Sequence, residues 1–234
     1  MTRSRPGADA GWLEAQLGVR LSQEALLIRA LTHRSAGGLD NERLEFLGDA
    51  VLSFVMADLL FARFPEASEG DLSRYRSSLV SGEVLADVGE FLGIGDHLRL
   101  GAGELKSGGF RRRSILADAL EALIGAVFID QGIEAARGVI ERLWLARVQA
   151  LTETPPPKDP KTQLQEWLQG RNQALPTYTV EQVSGQPHRQ VFLVQLFIEA
   201  LSIQTSGEGT TRRRAEQQAA ERALALIDSK GNAP

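Results

Sequence analysis

Asn41-Glu42-Arg43-Leu44-Glu45-Phe46-Leu47-Gly48-Asp49-Ala50-Val51-Leu52 and Leu116-Ala117-Asp118-Ala119-Leu120-Glu121-Ala122-Leu123-Ile124-Gly125 are the two stretches on which the reading of this chain turns. Both set carboxylates among apolar residues at helical spacing. Glu45 and Asp49 are four residues apart, and Asp118 and Glu121 three apart, so each pair shares one helix face. Packing two such helices together converges four carboxylates on one point. Burying like charges is costly unless a cation neutralises them. Two readings stand on spacing alone: a metal site, or two ordinary solvated acidic faces. The second is fair for Glu42-Arg43 at a helix start. It is weaker for Glu45 and Asp49, which are flanked by Leu44, Phe46, Leu47, Val51 and Leu52. Gly48 and Gly125 add weight to the first reading. A glycine inside a helix costs about 1 kcal/mol relative to alanine, so it usually answers to packing.

Outward from these runs the pattern stays helical. Leu44 to Phe64 predicts a long helix ended by Pro65, and its apolar residues cover most of the circumference. Such a helix is central, or is covered by a partner subunit. Leu72 to Leu92 predicts a helical region broken near Ser81-Gly82. Ser114 is a candidate N-cap for a helix to about Asp130. Gly132 follows, and then an amphipathic helix from Glu134 to Ala150. Gly93 to Arg113 reads as a long polar, Gly-rich loop. It carries Arg111-Arg112-Arg113, for which a solvated loop and a phosphate clamp are both open. His33 and His97 stand outside every motif.

Four prolines in Thr152–Pro160 cannot continue a helix and favour a semi-rigid spacer. After it the periodicity changes. Lys161 to Gln169 predicts a short helix. Strands are expected over Thr177–Val183, Gln190–Ile198 and Leu201–Thr205, with turns at Gly185-Gln186-Pro187-His188 and Glu199-Ala200. An Ala-rich helix is expected from Arg212 to Ile227. Its Ala215, Ala219, Ala220 and Ala223 permit close approach to a sheet. The expected architecture is multidomain. An all-α domain spans 1–151, a Pro-rich linker 152–160, and a small α+β domain (helix, three strands, helix) 161–230.

The bulk numbers exclude some classes. Of 234 residues, 43% are hydrophobic and 24% charged, which suits a globular protein rather than a disordered chain. There is no cysteine, so disulfides and thiolate zinc sites are impossible and a metal must be held by oxygen or histidine. The first residues lack the apolar stretch of a secretory signal, and no run is long enough to span a bilayer. The net charge of −4 hides clustering: 17 basic and 21 acidic residues up to Ala150, nine of each beyond it. Thr211-Arg212-Arg213-Arg214 falls at a predicted helix N-terminus, where helix dipole and guanidinium groups both favour a phosphate.

Asn41–Leu52, Glu69-Gly70-Asp71-Leu72-Ser73, Gly103–Arg112 and Ser114–Ala126 resemble, in order and spacing, the signatures of the bacterial ribonuclease III family. Asp159–Ile227 resembles a double-stranded RNA-binding domain. The resemblance covers nearly the whole chain. It implies an all-α nuclease domain joined to a double-stranded RNA-binding domain. The implied activity is endonucleolytic cutting of double-stranded RNA, leaving 5′-phosphate and 3′-hydroxyl ends with short 3′ overhangs. Processing of ribosomal RNA and other transcripts is the implied setting. It further implies a cytoplasmic homodimer with Mg²⁺, for which Mn²⁺ can substitute, and no membrane or small-molecule cofactor. By motif position Glu45, Asp118 and Glu121 are the metal ligands. Asp49 and Glu121 are the residues most needed for hydrolysis, and Glu42 and Glu69 are supporting acids. Thr162, Gln165 and Glu166 match a helix face that meets a minor groove, and Gly185 to His188 a loop that enters the next one. Arg212, Arg213 and Arg214 match a basic helix start that grips phosphates. Arg111 and Arg112 extend the RNA surface into the first domain. Glu216 stands where many such domains have a third basic residue, which lowers the expected affinity. The alternative function is a duplex-RNA-binding regulator that does not cut.

Overall fold

The computed structural model describes residues 10–186 and 190–231. The chain divides into two compact units, 1–156 and 157–234, with the boundary inside the proline run Pro155-Pro156-Pro157.

The first unit is helical: α1 (Ala10–Leu17), α2 (Glu24–Ala30), α3 (Glu42–Arg63), α4 (Glu69–Leu79), α5 (Gly82–Phe91), α6 (Ala102–Lys106) and α7 (Arg113–Gln149). Local chemistry sets most of the ends. Phe64 leaves the helical region at φ −123°, as the residue before Pro65 must tend to do. Ser68 Oγ accepts from the Asp71 amide at 3.2 Å to cap α4, and Ser81 Oγ caps α5 through Val84. The break expected at Ser81-Gly82 is therefore a cap. Gly132, at φ +81°, interrupts α7 and separates its two halves.

Two expectations are corrected here. Ser114 does not cap α7: Arg112 holds the cap position in extended backbone, and Ser114 lies in the first turn. The stretch from Gly93 to Arg113 is not one long loop. It folds into a 3₁₀ turn at Ile94–Asp96, α6, and a second 3₁₀ turn at Gly109–Arg111. These turns are too short for hydrophobic periodicity to register, which is why composition alone read as loop.

The core of this unit lies between α3 and the first half of α7. Leu52, Val55, Met56 and Leu60 meet Leu120, Leu123, Ile124 and Val127, all fully buried. The helices cross in backbone contact at Gly48 and Gly125. A Cβ on Gly48 would lie 1.8 Å from the Glu121 carbonyl oxygen, and one on Gly125 would lie 2.3 Å from that of Leu44. This is the packing reason for both glycines. Trp144 closes the far end, its indole donating to the Leu79 carbonyl at 2.9 Å.

The second unit is α8 (Pro160–Gln169), β1 (Thr177–Ser184), β2 (Val191–Ile198), β3 (Ile203–Gly209) and α9 (Arg212–Gly231). The strands form an antiparallel sheet in the order β1-β2-β3, with Tyr178 opposite Leu196 and Leu196 opposite Thr205. Asp159 caps α8 by accepting from the Lys161 amide at 2.9 Å, and Pro160 opens the helix. Leu164, Leu168, Leu196, Ile198, Ile203 and Leu224 build a separate core. Ala215, Ala219, Ala220 and Ala223 are all fully buried in it or beside it. The third strand starts later and runs further than expected. Ser202 takes a left-handed φ of +49° after a 3₁₀ turn at Glu199–Leu201. The strand then extends through Gly207, where a Cβ would lie 2.2 Å from the Ala215 carbonyl oxygen of α9. Poor strand formers continue the sheet there because a helix rests directly on their backbone.

Gly48→Ala should lower stability by about 3 kcal/mol or more, because two helix backbones must separate to admit one methyl group. Gly138→Ala, in a helix with open space around its Cβ position, should instead raise stability by about 0.5–1 kcal/mol. Urea denaturation of the two variants checks both signs, and equal small effects would show that the helices do not cross at Gly48.

Candidate functional site

The Gly48–Gly125 crossing brings the acidic faces of α3 and α7 together. One carboxylate oxygen each from Glu45, Asp118 and Glu121 lies within 4.8 Å of the others. Asp49 adds its charge from the next turn of α3, and Glu42 from the preceding one. Side by side at half-buried positions, Glu45, Asp118 and Glu121 resist ionisation. Burial raises the Glu121 pKa first, then repulsion from Asp49, Glu45 and Asp118, up to about 8. Glu45 is also raised, by burial and then by Asp118, Glu42 and Asp49, with Arg34 opposing. Burial raises Asp118 against the opposing pull of His33 and Arg34.

Three oxygen donors this close, on elements that cannot move apart, form a hard anionic set. That is the chemistry that holds Mg²⁺ or Mn²⁺ and leaves further coordination positions for water and substrate. The residues present therefore fit such an ion. The two acidic runs do meet, and Glu45, Asp118 and Glu121 converge at half-buried positions rather than on separate solvated faces. Glu69 stands apart from this trio, at the start of α4, where it accepts from the Ser73 hydroxyl at 2.8 Å.

Glu42, Glu45 and Asp118 open into a cleft of about 490 Å³ lined also by His33, Arg34, Ser35, Asn41, Glu104, Arg112, Ser114 and Ile115. Arg34 pairs with Glu42 at 3.4 Å and Arg112 with Glu104 at 3.0 Å. The Arg111-Arg112-Arg113 run is thus split three ways. Arg112 faces the cleft. Arg111 is exposed, with its guanidinium over the Phe110 ring. Arg113 is tied to Glu83 at 2.9 Å and Asp87 at 2.6 Å, which anchors α5 to the start of α7. Sequence reasoning missed His33, Arg34, Ser35 and Glu104. They reach the cleft because the backbones at Thr32 and Arg99 pair, a contact between segments far apart in sequence that no local pattern signals. His97 is placed too: its ring stacks on Trp12 at 4.1 Å, away from the cleft residues.

In the second unit Thr162, Gln165 and Glu166 are exposed on α8, and Arg212, Arg213 and Arg214 are exposed at the start of α9. Gly185 takes a φ of +91°; His188 lies outside the described residues. The starts of the two helices are joined. Gln217 donates to Asp159 at 2.6 Å, and Arg213 pairs with the same carboxylate at 3.5 Å. Glu216 is only 7% exposed and is gripped by Lys161 and, at 2.8 Å, by Arg212. Burial pushes its pKa up, but these two cations outweigh burial and hold it below the usual carboxylate range. Glu216 is thus a neutralised internal brace rather than an acid presented to RNA. Glu166 pairs with Lys158 at 2.5 Å.

The pH dependence of stability follows from Glu121. Its folded pKa is raised, so the stability that Glu121 contributes to the metal-free protein is fully present below about pH 4.5. That contribution is lost progressively as pH rises toward 8. Glu121→Gln should therefore melt higher than the wild type at pH 9 in EDTA, with the gain shrinking to nothing by pH 4.5. A pH-independent difference in melting temperature would contradict the crowding of these carboxylates.

Among the described residues no helix is long and apolar enough to cross a membrane. Residues 23–148 match the Ribonuclease-III-like family and residues 160–227 the double-stranded RNA binding motif. A protein named Ribonuclease 3 from Vibrio vulnificus is 54% identical over 212 residues, covering 91% of this chain and 94% of its own. One of the same name from Pseudomonas fluorescens is 54% identical over 215 residues, covering 92% and 94%. Among solved structures, the nuclease domain of ribonuclease III from Campylobacter jejuni aligns with a TM-score of 0.58 at 40% identity. It covers 62% of this chain and 99% of that one. With both domains matched in order, and more than half of the residues shared across nine-tenths of the length, this chain belongs to the ribonuclease III family of double-stranded-RNA endonucleases.

Proposed function

We propose that the protein is a divalent-metal-dependent endoribonuclease. It cuts double-stranded RNA to 5′-phosphate and 3′-hydroxyl ends with short 3′ overhangs, and works as a homodimer in the cytoplasm on ribosomal RNA precursors and other transcripts. The observation that carries this reading is the Glu45–Asp118–Glu121 trio, converged within 4.8 Å where burial and mutual repulsion leave it short of positive charge. These three hold Mg²⁺, or Mn²⁺ in its place. Asp49, one turn along α3, and Glu121 serve the hydrolytic step itself. When bound, the ion supplies Lewis acidity to the phosphodiester and acidity to its coordinated water. Glu42 adds charge at the cleft mouth. Glu69 is the supporting acid for which a single protomer provides no shared site.

A non-cleaving RNA-binding regulator is the lesser reading. It leaves unexplained why four carboxylates are crowded at a cost to stability. The dimer is supported by α3, whose outer side carries Phe46, Phe54 and Phe61, exposed by 80%, 57% and 69%. They recur every two turns, so a second copy can cover all three along one stripe. A two-fold dimer also matches the local two-fold symmetry of an antiparallel duplex. One of the Campylobacter jejuni nuclease-domain structures is described as flexible in a region involved in dimer formation. In the second unit Arg212, Arg213 and Arg214 supply phosphate contacts, and Thr162, Gln165, Glu166 and the Gly185–His188 loop supply minor-groove contacts. This mode reads A-form shape over ~16 base pairs with little sequence content.

Two experiments test the division of labour. Wild-type protein should cut a long RNA duplex in Mg²⁺ and not in EDTA. Glu121→Gln should lose cleavage while still retaining the duplex in a Ca²⁺ gel-shift assay, and near wild-type cutting by Glu121→Gln would refute the site. Arg212→Ala with Arg213→Ala should weaken binding of all duplex sequences alike. The log–log salt dependence should flatten by about one unit per lost contact. A sequence-selective loss at unchanged salt slope would remove these residues from the phosphate grip.

A further inference from the structure

His33 has no role in the reading so far, yet the fold seats it in the wall of the cleft, where it and Arg34 are the basic groups facing Asp118. Its backbone is fixed by the pairing of residues 31–33 with Arg99. The Arg99 amide donates to the Leu31 carbonyl at 2.8 Å, and the His33 amide to the Arg99 carbonyl at 3.0 Å. Its ring is fixed as well. The Ser35 backbone amide donates to Nδ1 at 3.2 Å, and the Ser35 hydroxyl lies 2.8 Å from the same nitrogen. That hydroxyl in turn accepts from the Gly101 amide at 3.0 Å.

The direction of these bonds decides the tautomer. A backbone N–H can only donate, so Nδ1 must carry a lone pair, and the ring proton of the neutral imidazole sits on Nε2. Donation therefore runs one way, from Gly101 N–H to Ser35 Oγ–H to His33 Nδ1, and ends at an Nε2–H that has no acceptor among the described residues. With Nδ1 turned back on Ser35, the Nε2 edge is the polar edge His33 offers the cleft. The neighbouring guanidinium groups differ: Arg34 is paired with Glu42 and Arg112 with Glu104. The cleft thus holds two guanidinium groups already engaged with carboxylates and two side-chain N–H donors that are not, the oriented His33 Nε2–H and the buried Asn41 Nδ2; of these His33 is the less buried.

We infer that His33 is a substrate-contacting residue whose Nε2–H donates a hydrogen bond to a nonbridging phosphate oxygen of the RNA strand seated over the carboxylate cluster, with Ser35 as the positioning residue that holds its tautomer. A single fixed N–H suits this place. It can orient a phosphate through one directed hydrogen bond, where a guanidinium would be drawn into pairing with a carboxylate as Arg34 and Arg112 are. It needs no rearrangement when substrate arrives, because Ser35 and Gly101 have already set the ring. No proton is transferred; the hydrogen stays on nitrogen throughout. The inference rests on the nuclease reading of the same cleft.

The test separates the two ring nitrogens. A glutamine amide nitrogen reaches the ε position and an asparagine amide nitrogen only the δ position. In single-turnover cleavage of an RNA duplex in Mg²⁺, His33→Ala and His33→Asn should slow the cutting step about tenfold or more, the worth of one hydrogen bond to a charged oxygen. His33→Gln should recover most of that loss. Melting temperature should stay near wild type for all three, and any weakening of duplex binding in Ca²⁺ should appear in His33→Ala and His33→Asn and be recovered in His33→Gln. A second readout needs no cleavage. In ¹⁵N spectra of the wild-type protein the His33 ring should report the Nε2–H tautomer, and adding RNA duplex in Ca²⁺ should shift its Nε2 signal. Equal losses for the glutamine and asparagine variants, full activity in His33→Ala, or an Nε2 signal unmoved by RNA would each overturn the inference. Failure of the wild-type protein to cut, with the Nε2 signal still moved by RNA, would refute the nuclease reading and leave the His33 contact standing.

Discussion

Two helix backbones touch at Gly48 and Gly125, and the rest of the first unit depends on that contact. With a Cβ position 1.8 Å from the carbonyl oxygen of Glu121, no side chain larger than hydrogen fits at Gly48. Only at this separation can Glu45 from one helix and Asp118 and Glu121 from the other present oxygens within 4.8 Å. The crossing creates an electrostatic problem along with a site. Carboxylates this close at half-buried positions hold protons above their ordinary range, Glu121 most of all. The apolar contact of Leu52, Val55, Met56 and Leu60 with Leu120, Leu123, Ile124 and Val127 just beyond holds the acids together. A tightly packed apolar core therefore supports an end where like charges repel.

The second unit solves the opposite problem. Its basic residues must stay exposed at α9, and a helix N-terminus is an unfavourable place for cations. Glu216 and Asp159 answer this from beneath. Glu216, buried, takes Lys161 and Arg212, while Asp159 takes Gln217 and Arg213. The arginines are thereby oriented while staying open to solvent. They can exchange a partial interaction with protein for one with phosphate at modest cost, since exposed ion pairs are weak. A net charge of −4 is no obstacle to RNA binding when Arg212, Arg213 and Arg214 stand exposed together at one helix start.

Much was legible in advance. The Pro-rich break, the switch from a 3.6-residue to a two-residue period, the Ala-rich last helix and the spacing of the four carboxylates are all local patterns, and local patterns are what a sequence displays. Two internal glycines signalled a packing reason, which the structure shows to be a close helix crossing. The mismatches are equally instructive. Ser114 has the right chemistry for a cap, but the chain enters α7 two residues earlier. The 93–113 stretch hides α6 and two 3₁₀ turns within a composition that resembles loop. Glu216 reads as a surface acid in sequence because burial is not visible there.

The sequence by itself determined the two-domain order, the helical and α+β classes, and the residue types able to bind a hard cation and a phosphate backbone. Periodicity, turn chemistry and charge clustering are properties of neighbours along the chain. Only the tertiary structure decided that Glu45, Asp118 and Glu121 converge while Glu69 stands apart. It alone split the Arg111-Arg112-Arg113 run between cleft, solvent and anchor, and brought His33 and Ser35 into the same cleft through the pairing of Thr32 with Arg99. These are contacts between residues tens of positions apart. They arise from how buried surfaces pack, and packing is settled by the whole core at once rather than by any stretch within it.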